Sequence, residues 1–457
     1  RLVKFKDGTT EVEPSLATSW EISEDGRTYV FYLRKGVEFI DGTPFNAEAV
    51  AYSLKRLILL GRPASGIVEG ILDINGIEVI DDFTIKLTLT APFAPFLGML
   101  ATNQTSIVSP SIEKYGKFGG AWLVENSVGT GPFYVKEWRR GDVIILARNE
   151  GYWGRKPYLR EVHIRYVPEP AVLRELLEKG EVDMAEVLTD EQLDVLSTVP
   201  GVQVFEAPSF MVCRLYLNCT KPPLSDVRVR QAISYAIDYE GIIFAVTKGH
   251  AVQMRGPIPQ GMWGHDPTVF QYTRNLEKAR QLLAEAGYPK GFKISMLINP
   301  EIPAWVDIAT IVQANLAEIG VTVEIIGYAR PIMRAMIDRG EHEIAIGYWT
   351  PDYPDPDMFA WYWFHSSNRG LGGNRSFYMN PRMDELALRQ RLEIDPAKRL
   401  KILQELQKLA VEEAVYVYLY QTTYRTAMRT WVKGYVYNPM LLYMPNFDGI
   451  YKDYGTS

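Results

Sequence analysis

Residues 292–349 limit the fold more than any other part of the chain, because they alternate strand and helix patterns five times in a row. FKISMLIN (292–299), VTVEIIGY (321–328) and EIAIGYW (343–349) are short apolar runs with the β-branched and aromatic content of buried strands. PAWVDIATIVQANLAEIG (303–320) and RPIMRAMIDRG (330–340) between them have helical spacing. Each helix stops at a glycine, the residue that most readily takes a left-handed C-cap. Strand–helix–strand repeats with short links give parallel strands with helices packed on their faces. The expected class is α/β. The alternation already holds from about residue 160, with EVHIRYVP as strand, PAVLRELLEKG as a helix ending on Gly180 and EVDMAEV as strand. Residues 1–90 read differently, as strands and turns. They carry hairpin signals at Glu24-Asp25-Gly26 and Asp81-Asp82, and one helix behind Thr43-Pro44.

At 457 residues the chain exceeds one ordinary hydrophobic core, so two or three domains are expected. VLRELLEKGEVDMA (172–185) and IMRAMIDRGEHEIA (332–345) match in type at nearly every position. That echo suggests two α/β lobes on one plan; a generic helix-to-strand junction would also produce it. Two lobes of this size lead one to expect a cleft between them. Ligands of open α/β sheets sit beyond the carboxyl ends of strands, and the loop from Thr350 directly follows one. The net charge of −6 argues against a nucleic-acid binder or a membrane-surface protein, which usually present a basic face. No stretch approaches the length of a membrane span. Cys213 and Cys219, in MVCRLYLNC, read as two thiols on one face of a strand roughly 20 Å apart. That is too far to bridge, so they read as small buried apolar side chains.

Catalytic signatures are lacking. The five histidines are scattered without metal-ligand spacing, and His342-Glu343 does not begin HExxH because residue 346 is Ile. There is no GxSxG, Walker A or GxGxxG motif. GTGPF (129–133) reads as a tight turn, since Pro132 removes an N–H donor. Neither a metal nor a cofactor is expected. The richest stretch is GYWTPDYPDPDMFAWYWFHSS (347–367), where Asp352, Asp355 and Asp357 alternate with three prolines ahead of a wall of aromatics. Asp352 has three readings. It could shape an Asx turn, join Asp355 and Asp357 around calcium, or pair with a cationic group of a ligand. Three aspartates this close in sequence cannot flank a sugar ring as a glycosidase pair would. Trp349 and Tyr353 flank Asp352 and, with Thr350, are candidate site residues. MFAWYWF reads equally as a buried helix start. HSSNRGLGGNRSFYMNP (365–381) offers Arg369, Asn374 and Arg375 on a glycine-rich loop, either a ligand lid or a plain surface loop.

Several stretches together identify a family. They are VEPSLATSWEISEDGRTYVFYLRKGVEFIDGTPFNAEAV (12–50), VGTGPFYVKEW (128–138), RNEGYWGRKPYLREV (148–162), NCTKPPLSDVRVRQAISYAIDYEGII (218–243), KARQLLAEAGYP (278–289) and PDYPDPDMF (351–359). Almost end to end the chain resembles the dipeptide- and oligopeptide-binding proteins of bacterial ABC importers, a family that also has nickel-, heme- and oligosaccharide-binding members. The resemblance implies a two-lobed periplasmic-binding-protein-like fold of the large type II variant. Lobe 1 would cover 1–220 with an extra subdomain at roughly 27–140, lobe 2 would cover 221–431, and 432–457 would return to lobe 1. Hinge strands would lie near LYLNCTKPP and MRTWVKGY. The implied function is non-enzymatic: capture of peptides in the cleft by hinge closure, then delivery to a membrane permease. An oligosaccharide- or metal-chelate-binding member is the runner-up, and a secreted carbohydrate-active enzyme is the rival from another class. The resemblance also implies a monomer, periplasmic or at the cell surface, with a lipid anchor as one option. It implies an upstream strand and leader before RLVKFKDG. In peptide-binding relatives the aspartate at the place of Asp352 takes the ligand's α-amino group, and the tryptophan at the place of Trp349 lines the cleft. The chain departs from the pattern at Ile346, where some relatives carry an arginine, and no arginine stands in NPEIPAWVDIATI (299–311) to hold a ligand carboxylate.

Overall fold

The computed structural model describes residues 1–61, 64–440 and 446–455. Part of the expected C-terminal segment, 441–445 and 456–457, therefore lies outside the described residues. The chain forms two compact units, Arg1–Ala207 with Arg425–Ser457, and Pro208–Tyr424.

Unit 1 is built from antiparallel sheets. Ala17–Ile22 and Thr28–Leu33 form the hairpin expected at Asp25-Gly26, with Gly26 at a φ of 67°. Thr84–Leu89 joins this hairpin to Leu72–Asp81, giving a four-stranded sheet. The helix Ala47–Leu60 is capped by Asn46, whose side chain accepts from the Ala49 N–H at 3.0 Å. A second, three-stranded antiparallel sheet spans Phe133–Arg139, Val143–Arg148 and Glu161–Arg165. The expected subdomain start at 27 would cut the first hairpin in two; the sheet begins at Ala17.

Unit 2 contains the run that constrained the fold. The strands that matter below are β1 (Val202–Leu217, entering from unit 1), β2 (Lys293–Ile298), β3 (Thr322–Gly327), β4 (Ile344–Trp349) and β5 (Tyr416–Arg429, leaving to unit 1). Strand β2 pairs parallel with β3 and β4, as the alternation requires. Strand β1 lies antiparallel to β4, so the sheet is mixed. The helices that matter below are α1 (Pro303–Ala317), α2 (Arg330–Asp338), α3 (Asp357–Phe364), α4 (Pro381–Leu392) and α5 (Pro396–Glu412). Gly320 and Gly340, just past α1 and α2, take φ values of 83° and 65°, the left-handed stop read from the sequence.

The chain changes unit at 207–208 and 424–425, inside β1 and β5, rather than at 220–221 and 431–432. Within a continuous strand the side-chain period does not change, so nothing in the residues marks such a crossing. The punctuation that drew the sequence reading, Pro222-Pro223 and Gly434, lies beyond the strand ends. The two cysteines show the same effect. Strand β1 ends at Leu217; the Asn218 backbone N–H still donates to the Glu343 carbonyl at 2.9 Å, and its side-chain amide donates to the Gly340 and His342 carbonyls at 3.0 and 2.9 Å. Cys213 is thus in the strand and Cys219 past it; both are free, and burial pushes their thiols up to about 12 and about 11.

Candidate functional site

Strand β4 ends at Trp349, and the proline-rich turn carries the chain into α3. Each proline fixes its own φ and pushes the preceding residue out of the helical region. The turn closes on itself: the Asp355 N–H donates to the Tyr353 carbonyl at 2.8 Å, and the Asp355 carboxylate accepts from the Asp357 N–H at 2.8 Å. Two of the three aspartates are then consumed by the fold. Arg399 of α5 grips Asp355 with both terminal nitrogens, at 2.8 and 2.5 Å. Asp357 is fully buried and accepts from Arg391 at 2.6 Å, from Gln390 at 2.6 Å and from the Tyr353 hydroxyl at 2.7 Å. Burial pushes the Asp357 carboxyl up, and Arg391 and Tyr353 pull against that. Arg399 also donates to the Gln390 carbonyl at 2.7 Å, which ties α4 to α5. These pairs leave no room for the calcium reading.

Asp352 is different. Its side chain faces water, yet protein around it is dense enough that desolvation pushes its carboxyl up. No described residue hydrogen-bonds or ion-pairs with it. Thr350 beside it is exposed, and Trp349 is half-buried. Trp349 packs edge-on against Trp363 at 6.1 Å, and its indole N–H meets no acceptor among the described residues. Tyr353, expected to face a ligand, instead turns inward onto Asp357 and is 1% exposed. Phe359, Trp363 and Phe364 are core residues, the second of the two readings of that aromatic run.

The glycine-rich loop is braced. Asn374 is fully buried, with its amide on the carbonyls of Phe364, His365 and Tyr378 at 3.3, 3.4 and 2.8 Å. It shapes the loop and does not present itself to a ligand. Arg369 is exposed and folds back onto the Ser366 carbonyl at 3.1 Å. The Leu371 N–H donates to Asp338 at 2.8 Å, which fastens the loop to the end of α2. Of Asp352, Arg375, Arg369 and Asn374, the first two have donors or acceptors left unused, Arg369 is exposed on the loop, and Asn374 is spent on the fold.

Arg375 leads to a group the sequence reading missed. On β1 and β4, Arg214 stands opposite Gly347 and Val212 opposite Trp349, so these side chains share one face with Tyr216. Ile346, where some relatives carry an arginine, is buried on the other face. Gly347 is bare for a reason: a Cβ there would lie 2.0 Å from the Tyr216 hydroxyl. That hydroxyl accepts from Arg375 at 2.9 Å. Arg214 is fully buried, with its guanidinium 3.5 Å from the Trp363 ring centre and 5.0 Å from those of Tyr216 and Tyr416. The one signal in the sequence was a lone charge at an inward position of an apolar run, FMVCRLYL.

His342 holds Arg375 from behind. It is fully buried, and its Nε2–H donates to the Arg375 carbonyl at 2.8 Å. Burial lowers its pKa to about 4, against the partial support of that hydrogen bond. The unfolded imidazole takes its proton near 6.5. Between those values the unfolded chain holds more protons, so stability is full above pH 6.5 and falls as pH drops towards 4. The expected loss is on the order of 2–3 kcal/mol. Urea unfolding at pH 7 and pH 4.5 checks it: His342→Gln, which keeps an N–H donor but cannot titrate, should flatten part of the slope. An unchanged slope in that variant would remove His342 as the cause.

Unit 1 holds a separate cavity of about 1280 Å³, walled by residues such as Leu159, Val162, Trp153 and Phe447. One pair of charges on its wall, Lys452 and Asp183, meets at 2.7 Å. Among the described residues no cluster could hold a metal ion, and no helix is long and apolar enough to cross a membrane.

Known proteins resemble this chain along nearly its whole length. Residues 11–370 match the family described as bacterial extracellular solute-binding proteins, family 5 Middle. The chain is 40% identical over 448 residues to the probable D,D-dipeptide-binding periplasmic protein DdpA of Escherichia coli, covering 96% of this chain and 86% of that one. It is 33% identical to the dipeptide-binding protein of the same organism, again over 96% of this chain and 86% of the relative. The solved structure of the periplasmic binding protein DppA from Helicobacter pylori, in complex with the peptide STSA, superposes with a TM-score of 0.83 at 32% identity, covering 99% of this chain and 91% of that one. The chain belongs to the bacterial extracellular solute-binding proteins of family 5.

Proposed function

We propose that this protein is the substrate-binding subunit of an ABC importer, and that it captures short peptides outside the cytoplasm and hands them to a membrane permease. The relatives named for dipeptides, and the peptide-bound relative, support the ligand class. The observation that carries it in this chain is the contrast within one turn. Asp355 and Asp357 are saturated by arginines, whereas Asp352 keeps a desolvated carboxylate with no partner among the described residues. A carboxylate in that setting is completed by a cation with N–H donors, and a peptide's α-ammonium is such a group. In this reading the ligand is bound and released unchanged. The protein acts as a monomer, with no cofactor.

Native mass spectrometry of the purified protein tests this. The expected result is a mass excess of a few hundred daltons that denaturation releases as peptides with free amino termini. Release of a sugar or a metal chelate instead would overturn the peptide reading and leave Asp352 as a hydroxyl acceptor or a turn residue.

A further inference from the structure

Arginines buried in unit 2 normally end on acceptors. Arg399 ends on Asp355, Arg391 on Asp357, and Arg230 on the Glu413 and Leu224 carbonyls. Arg214 does not. None of its three guanidinium nitrogens meets an acceptor among the described residues, although the side chain is fully buried. The aromatic rings satisfy the faces of the cation but leave its N–H donors in the guanidinium plane unused. A second cation stands beside it: the Arg375 guanidinium lies 5.5 Å from the Tyr216 ring centre and 5.4 Å from that of Trp349, the same two rings that Arg214 approaches at 5.0 and 5.4 Å. Among the described residues Arg375 has one acceptor, the Tyr216 hydroxyl, and its Nε is buried without any. Two positive charges thus share the Tyr216 and Trp349 rings, and neither meets a carboxylate among the described residues.

We propose that Arg375, backed by the buried charge of Arg214, forms a subsite for a ligand carboxylate on the face of β4 that carries Gly347 and Trp349. Arg375 makes the contact, through guanidinium N–H donors not used by Tyr216. Arg214 acts as a positioning residue behind Tyr216: an arriving anion offsets the repulsion between it and Arg375. Gly347 keeps the strand bare so that Tyr216 and Arg375 can take these places. This inference rests on the peptide reading and deepens it. Asp352 follows Trp349 by only three residues, a reach of at most about 10 Å, the length of two or three extended residues. An ammonium at Asp352 and a carboxylate at Arg375 therefore select a short zwitterion, and the chain needs no arginine in 299–311 or at Ile346 to do so.

The test is calorimetry with L-alanyl-L-alanine, D-alanyl-D-alanine and tri-L-alanine, each as free acid, as C-terminal amide and as N-acetyl acid, at one pH and salt concentration. On the unmodified protein, amidation should weaken binding of the preferred ligand by at least about 30-fold, the order expected when a charge-assisted pair loses one charge. In Arg375→Gln, acid and amide should bind within about 3-fold of each other, since the discrimination itself has gone. A merely structural role for Arg375 would weaken both forms and keep their ratio. If no free acid binds more tightly than its amide, whether both bind equally or neither binds, the arginine subsite is overturned. A ratio that persists in Arg375→Gln overturns it as well. The N-acetyl arm reports separately on Asp352: a loss there without an acid preference keeps the ammonium reading and removes the arginines, and the reverse pattern does the opposite.

Discussion

Asp357→Ala is expected to lower the stability of unit 2 by about 3–5 kcal/mol, the range for breaking a buried ion pair from one side. The size follows from what is left behind. Arg391, Gln390 and the Tyr353 hydroxyl all donate to this one carboxylate, and Asp357 itself is fully buried. Alanine would strand three donors where water has little access, and an unpaired buried donor costs more than a hydrogen bond contributes. The loss should extend along the network, because Gln390 also accepts from Arg399, which grips Asp355. Urea unfolding followed by tryptophan fluorescence reads it directly, since Trp361 and Trp363 sit on the same helix as Asp357. The paired change Asp357→Leu with Arg391→Met should recover part of the loss, as apolar replacement of a whole buried pair often does. A midpoint in Asp357→Ala equal to that of the unmodified protein would mean that the network does not hold the turn. Chelators should leave the midpoint where it is, because arginines, rather than a metal, occupy these carboxylates.

This network explains which parts of the site the sequence disclosed. The parallel strands β2, β3 and β4 and their helices were readable because apolar periodicity and stop glycines are local signals, complete within about 60 residues. The position of Asp352 at a strand's carboxyl end was readable for the same reason. The fates of Asp355 and Asp357 were not, since their partners Arg399 and Arg391 lie 44 and 34 residues further along, on other helices. A faint trace does exist. Arg399 falls in the same helical stripe as Ile402, Leu403 and Leu406, all buried, and a charge in an apolar stripe asks for a buried partner. Arg214 in FMVCRLYL and Gly347 in EIAIGYW were signals of the same kind, an exception to a local pattern that only a neighbouring strand explains. Tyr353 misled because an aromatic beside a candidate anchor looks alike whether it points out or in. The unit boundaries escaped because they fall within β1 and β5, where the residue pattern runs on unbroken.

Asp352→Ala should do the opposite of Asp357→Ala: leave the fold intact and remove the ligand. Binding of a short peptide is expected to weaken by about 2–5 kcal/mol, the range for truncating one partner of a desolvated charge pair. Isothermal calorimetry with a bound-state peptide identified by mass spectrometry measures it. Stability of the ligand-free protein should stay the same or rise slightly. The sign comes from the direction of the shift. Desolvation raises the Asp352 carboxyl above its ordinary value, so the folded chain holds that proton more tightly than the unfolded one. Ionisation near neutral pH therefore works against folding, and removing the carboxylate relieves it. The same shift sets a pH dependence for binding. An ammonium needs the carboxylate, so affinity should fall as pH drops through the raised Asp352 pKa, and this acid limb should be missing in Asp352→Asn. The two aspartates, five residues apart, are thereby separable by experiment: one variant unfolds without a specific effect on affinity at a fixed folded fraction, and the other loses affinity without unfolding. A peptide that binds Asp352→Ala as tightly as the unmodified protein would leave this carboxylate with no role in capture, and the ligand's ammonium would have to be held by another group.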